Sequence, residues 1–122
     1  GVGIAKSADD KQTKKKVLLG TPNYMSPEQA IGLEIDGRSD IFSLGVVFFR
    51  LLTGELPFTA NTLKDLLYEI ARSRHPSVSA IDPNIPSGVE DIVDRSLAKR
   101  VDKRYQSASQ MSQDIRVLEK EI

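Results

Sequence analysis

The sequence predicts a mainly α fold assembled around one buried central helix, and three observations carry that expectation. Ile41, Phe42, Leu44, Val46, Val47, Phe48, Phe49, Leu51 and Leu52 cover nearly the whole circumference of a helix drawn from about Ser39 to Thr53. A helix that is apolar on most sides belongs inside a core. Three further segments are amphipathic, and each opens on a hydroxyl residue followed three positions later by an acid or amide, the pattern of a capping box. No convincing β-sheet pattern appears along the chain.

Taken in chain order, residues 1–16 are small, polar and charged, without apolar periodicity, and read as an exposed, mobile loop. Val17-Leu18-Leu19 leads into a stretch holding Pro22 and Pro27. Proline is tolerated at the first helical position, where its missing donor would be unpaired anyway, so a short helix is expected from Pro27 to about Ile31, stopped near Gly32. The central helix follows. Its β-branched residues make a strand the rival reading, and its length favours the helix. Gly54 supplies the stop, and Leu56-Pro57-Phe58 turns the chain away. Thr62 with Asp65 opens a helix carrying Leu63, Leu66, Leu67 and Ile70 on one face. Ser87 with Glu90 precedes Val89, Ile92, Val93 and Leu97, and Ser107 with Gln110 precedes Met111, Ile115 and Leu118. Residues 73–86 hold three prolines and read as a loop.

Composition narrows the function. Seventeen basic residues balance seventeen acidic ones, which removes the usual electrostatic argument for a nucleic-acid partner. The absence of cysteine rules out disulfides, thiol catalysis and thiolate metal sites. One histidine, His75, cannot make a histidine metal cluster, and it lies in a polar loop with no nucleophile to serve. The apolar stretch from Ile41 to Leu52 is too short and too interrupted to span a bilayer, and residues 1–8 have no signal-peptide core. The segment is expected to be soluble, on the cytoplasmic side, with no membrane contact of its own. With 122 residues, no tryptophan and a long polar start, its core is modest.

Five motifs in order resemble the last part of the protein kinase fold, in the style of the bacterial serine/threonine kinases that are similar to eukaryotic ones. Gly1-Val2-Gly3-Ile4-Ala5-Lys6 resembles the Asp-Phe-Gly opening of the activation segment. Gly20-Thr21-Pro22-Asn23-Tyr24-Met25-Ser26-Pro27-Glu28 is similar to its close, with Ser26-Pro27-Glu28 in the Ala-Pro-Glu place. Asp40-Ile41-Phe42-Ser43-Leu44-Gly45 resembles the start of the large lobe's buried helix, and Leu51-Leu52-Thr53-Gly54-Glu55-Leu56-Pro57-Phe58 follows as in the family. Leu97-Ala98-Lys99-Arg100 with Asp102-Lys103-Arg104-Tyr105 resembles the late arginine motif. The resemblance covers almost the whole chain. It implies an activation segment over residues 1–28 and a helical remainder of the C-terminal lobe over 29–122.

What the resemblance implies for single residues is specific. The parent would transfer the γ-phosphate of ATP, held by magnesium, to serine or threonine of a protein substrate. Gly1 stands where the family has its metal-binding aspartate, and glycine has no oxygen to offer the ion. Two readings of Gly1 compete, a boundary of the polypeptide and a real loss in a degenerate, pseudokinase-like binding module. With the phosphate loop, its lysine and the catalytic base also missing from these residues, the chain alone is expected to be inactive and to bind no cofactor. Thr13, flanked by Lys11, Lys14, Lys15 and Lys16, is the leading regulatory phosphorylation site, and Ser7 the second. Thr21 would orient the catalytic groups. Leu19, Gly20, Thr21, Pro22 and Tyr24 would line the substrate groove. Glu28 and Arg104 would form a buried ion pair. Asp40 would accept backbone bonds from the catalytic loop, favoured anyway by the amides of a first helical turn, and Gly45 would let neighbouring backbone approach closely. Apolar faces left uncovered by the absent part of a lobe would favour self-association.

Overall fold

The computed structural model describes residues 22–121. They form a helical assembly with no strand among the described residues. A 3-10 turn over Pro22–Tyr24 leads to α1 (Pro27–Ala30), α2 (Gly37–Thr53), α3 (Leu63–Arg72), α4 (Val78–Ile81) and α5 (Ser87–Ser96). A second 3-10 turn over Val101–Lys103 then precedes α6 (Ala108–Glu121).

The helix ends follow local chemistry. Ser26 caps α1 through a complete box: its hydroxyl accepts from the Gln29 amide at 3.3 Å, and Gln29 Oε1 accepts from the Ser26 amide at 2.9 Å. Pro27 fills the first helical position, and Gly32, at φ +79°, turns the chain out. The central helix begins two residues earlier than expected. Its N-cap is Asp36, whose carboxylate accepts from the Arg38 amide at 2.9 Å, so Asp40 stands inside the first turn and does not start the helix. Gly54 closes α2 in the left-handed conformation, its amide bonded to the Arg50 carbonyl at 2.7 Å.

Two of the three expected capping boxes appear only in half and one fails. Thr62 and Ser107 each accept from the amide three residues on, at 3.1 and 3.2 Å. The return bond is different at the second, where Gln110 reaches the Gln106 amide at 2.8 Å. Ser87 does not cap α5. Pro86 takes that position and Ser87 becomes the first helical residue, because Glu90 is engaged elsewhere, by Ser77 and Ser79. Residues 73–86 are not wholly loop either, since Val78–Ile81 forms one turn of helix that seats Val78 in the core.

The core has two clusters, both organised by α2. Phe42, Val46 and Phe49 pack with Phe58, Leu66, Ile70, Val78, Val93 and Leu97. Ile41 turns to the other side, toward Ile92, Tyr105 and Met111. Phe42 and Phe58 stack with centroids 5.9 Å apart. The expectation that α2 is buried on all sides holds for these faces only. Leu44, Val47 and Leu51, spaced three and four residues apart along one stripe, are exposed, Leu51 by 79%.

Gly45 lies where α2 crosses α5. A Cβ built on it would sit 2.7 Å from Ser96 Cβ and 3.1 Å from Leu97 Cδ2. Ser96 Cβ is fixed to the α5 backbone, so the helices must separate to admit a methyl group. Gly45→Ala is therefore expected to destabilise the fold by roughly 1–3 kcal/mol, overpacking outweighing the gain in helix propensity. Urea unfolding followed by circular dichroism measures this, and an unchanged midpoint would contradict the crossing.

Candidate functional site

The best-defined polar assembly centres on Arg104, which is 1% exposed. The chain delivers it just past the Val101–Lys103 turn, opposite α1 and the start of α2. A guanidinium carries five N–H donors in a fixed fork, and here all five are used. Nη1 donates to Glu28 Oε2 at 2.7 Å and to the Arg38 carbonyl at 2.8 Å. Nη2 donates to Glu28 Oε1 at 3.1 Å and to the Lys99 carbonyl at 3.2 Å. Nε donates to the Ala98 carbonyl at 3.0 Å. The cation also lies over the Phe42 ring, 5.1 Å from its centroid. Such complete pairing is what lets a charge sit in an interior.

Glu28 is matched from its own side. Ser39, buried in the first turn of α2, donates its hydroxyl to Glu28 Oε2 at 2.5 Å. Burial works against the carboxylate's charge, but the hydrogen bonds from Arg104 and Ser39 outweigh it and hold Glu28 below the ordinary carboxylate range. Lys99, beside the arginine, is half-buried over Phe58, with Nζ 4.0 Å from the ring centroid. It donates to the Ile70 and Glu69 carbonyls at 2.6 and 3.3 Å, closing the C-terminal end of α3. Burial, with the Arg104 charge nearby, pushes its ammonium down to about 8.

The segment before Glu28 is tied to α2. Ser43 donates to the Tyr24 carbonyl at 2.5 Å, and Arg50 donates to the Tyr24 hydroxyl at 2.9 Å. Asn23 donates to the Phe58 carbonyl at 3.1 Å, and Pro22 is buried. Asp40 is exposed in the first turn of α2. Gly1, Ser7, Thr13, Leu19, Gly20 and Thr21 lie outside the described residues. Among the described residues no cluster of acids and histidine could hold a metal, and no helix is long and apolar enough to cross a membrane.

Two features carry no sequence signal of their own. Ser39 is one, an unremarked serine whose hydroxyl completes the Glu28 site. His75 is the other. Its loop reads as polar, yet the ring is buried, 2.7 Å from Asp94 Oδ1 and edge-on to Phe49 at 6.2 Å. A buried histidine in a proline-flanked loop is recognisable only once its partner helix is placed.

A helical assembly with two clusters around one long helix, and an acid beside a proline gripped by a distant arginine, has the arrangement of the C-terminal lobe of the protein kinase fold. Comparison with known proteins agrees. The chain belongs to the protein kinase domain family, which it matches over residues 2–115. It is 41% identical over 107 residues to the serine/threonine-protein kinase Pkn1 of Myxococcus xanthus, covering 86% of this chain and 15% of that protein. Against PksC of Streptomyces coelicolor it is 39% identical over 95 residues, 78% of this chain and 17% of the relative. Against PknB of Mycobacterium tuberculosis it is 37% identical over 116 residues, 93% of this chain and 18% of the relative. The chain thus spans less than a fifth of the length of these relatives. Among solved structures, the twitchin kinase region from C. elegans superposes with a TM-score of 0.72 at 22% identity, over 78% of this chain and 17% of that one, which shows the shared fold. The described helices are the C-terminal part of that domain.

Arg104→Ala would strand the Glu28 carboxylate in the interior, and a loss of about 3–5 kcal/mol is expected. Glu28→Gln tests the charge separately. Because the folded value of Glu28 is depressed below 4.5, its contribution is whole above that pH and is lost as pH falls through the folded value. Unfolding midpoints between pH 6 and pH 3 should therefore fall more steeply for the wild type than for Glu28→Gln. Parallel curves would show that the pair carries no differential proton binding.

Proposed function

We propose that the chain is the C-terminal lobe portion of a serine/threonine protein kinase, which transfers the γ-phosphate of ATP to hydroxyls of protein substrates. The observation that carries this reading is the Glu28–Arg104 pair, buried and fully hydrogen-bonded, in a chain of the protein kinase family. In this reading residues 1–28 form the activation segment and 29–122 the helical remainder. The pair fastens the end of that segment to the lobe, so that the stretch before it has a fixed base from which to present a substrate. Leu19, Gly20, Thr21, Pro22 and Tyr24 line the acceptor side, and the Ser43 and Arg50 bonds to Tyr24 support a rigid rim there. Thr21 orients the catalytic groups. Thr13 is the regulatory phosphorylation site and Ser7 a second, since phosphate there would meet several lysines. Asp40, exposed at the first turn of α2, is free to accept backbone bonds from the catalytic loop of the full-length protein.

ATP and magnesium serve the full-length protein. The 122 residues have Gly1 in the place of the metal-binding aspartate and none of the phosphate-holding lysine, glutamate or catalytic base, so on their own they are inactive. In the second reading the protein is a pseudokinase-like module that works by binding. An ATP-dependent activity belongs on the cytoplasmic side, where ATP is supplied. The exposed stripe of Leu44, Val47 and Leu51 fits as a face that the rest of the lobe covers.

Phosphotransfer by the full-length protein, with magnesium ATP and a basic protein substrate, decides between the readings. Transfer is expected, with phosphate on the peptide holding Thr13 and less of it in Thr13→Ala. A folded, nucleotide-supplied protein that transfers nothing would support the binding module. The isolated chain should show no transfer above background, and its light scattering should rise with concentration as the Leu44–Val47–Leu51 stripe self-associates. A monomer at every concentration would remove that last expectation.

A further inference from the structure

The segment between α3 and α5 is held by a clasp that the kinase reading does not use. Helix α5 presents two acids one turn apart, Glu90 and Asp94, toward residues 75–79. Asp94 takes His75 at 2.7 Å. Glu90 takes two hydroxyls, those of Ser77 and of Ser79, the latter at 3.2 Å. The two serine oxygens lie 2.8 Å apart. Between them Val78 points the other way and is fully buried in the core cluster. Polar bonds outside and one apolar plug inside thus fix the same five residues.

Ser77 is the exposed member of this group. It follows a stretch without regular structure, residues 73–77, and its own backbone is extended at φ −71° and ψ 130°. Arg74 and Arg72, three and five residues before it, are both exposed. A serine in extended backbone, preceded by exposed arginines, presents what a kinase with an acid-lined peptide groove accepts. We propose that Ser77 is a phosphorylation site for an arginine-directed serine kinase, and that its phosphate unfastens residues 75–79 from α5.

The chemistry is a single transfer. Ser77 Oγ attacks the γ-phosphorus of magnesium ATP, the bond from that phosphorus to the β–γ bridging oxygen breaks, and ADP leaves. The hydroxyl proton passes to the modifying kinase's base and on to solvent. The product has lost the donor that Ser77 offered to Glu90. It carries about −1.5 to −2 units of charge against that carboxylate. The Ser77 hydroxyl is the chief cause that holds Glu90 below the ordinary carboxylate range, so Glu90 is ionised at neutral pH and repels the phosphate. The exposed Arg72 and Arg74 offer it an alternative partner to the Glu90 contact. The hydroxyl is reached while the clasp is transiently open, and the phosphate then keeps it open, a shift of an existing local equilibrium.

The test uses the full-length protein with magnesium ATP and the purified catalytic subunit of an arginine-directed serine kinase, with an identical incubation lacking that kinase. Peptide mass spectrometry should find phosphate on Ser77 and none there in Ser77→Ala. Amide hydrogen exchange across residues 75–81 should then become on the order of tenfold faster in the phosphorylated protein. In Glu90→Gln, where the repelling charge is gone, phosphorylation should accelerate exchange much less. No phosphate on Ser77 overturns the site. Phosphate with unchanged exchange, or an equal acceleration in Glu90→Gln, overturns the release mechanism.

Discussion

The fold depends on one buried cation. Arg104 binds a carboxylate from α1, a carbonyl from the start of α2 and the Ala98 and Lys99 carbonyls just after α5, all with a single planar group. No apolar residue could join those three places, because each offers oxygen. Once the arginine is buried, every partner becomes obligatory, since an unsatisfied N–H or an unpaired charge in the interior costs more than the bond it replaces. This explains why Ser39 must stand beside Glu28 and why Ser26 and Gln29 cap α1 so completely. The carboxylate has to be held in place before it can be matched.

The central helix supplies the second constraint. One face of α2 carries Phe42, Val46 and Phe49 to one cluster and another carries Ile41 to the second, and Phe48 packs against both. Gly45 brings α5 close enough for Ser96 and Leu97 to touch that backbone. Phe42 connects the two constraints: it stacks on Phe58, and it lies beneath both Arg104 and Lys99. The aromatic face gives the two cations a favourable surface where water is excluded.

Sequence patterns reveal the main helices here better than their caps or the contacts between distant residues. Helical periodicity identifies α2, α3, α5 and α6, because burial of one face dictates it. The Glu28–Arg104 approach is legible only through resemblance, as nothing in the spacing of two charges 76 residues apart predicts a contact. The cap at Asp36 is hidden by the Gly37–Ser39 stretch, which has weak helix propensity and is held helical by the capping bond and by Ser39 reaching Glu28. The Ser87 box misleads because the same acid, Glu90, has better partners in a segment far from α5 in local pattern. The stripe of Leu44, Val47 and Leu51 reads as core because hydrophobicity records what a surface needs covered, and a partial lobe does not cover it.

The separation of Glu28 from Arg104 also sets an order of events in time. The two residues stand 76 positions apart, about three-quarters of the chain that the structure describes. Closing so long a loop costs entropy that only the completed contact repays, and contacts of this span slow folding. A chain leaving the ribosome from its N-terminus displays Glu28 long before Arg104 exists. Until then the carboxylate has only Ser39 and water, although α1 can already pack on α3. Folding of these residues therefore includes a late fastening step, and a chain stopped just before position 104 would carry most of the core residues and still lack the group that locks them together.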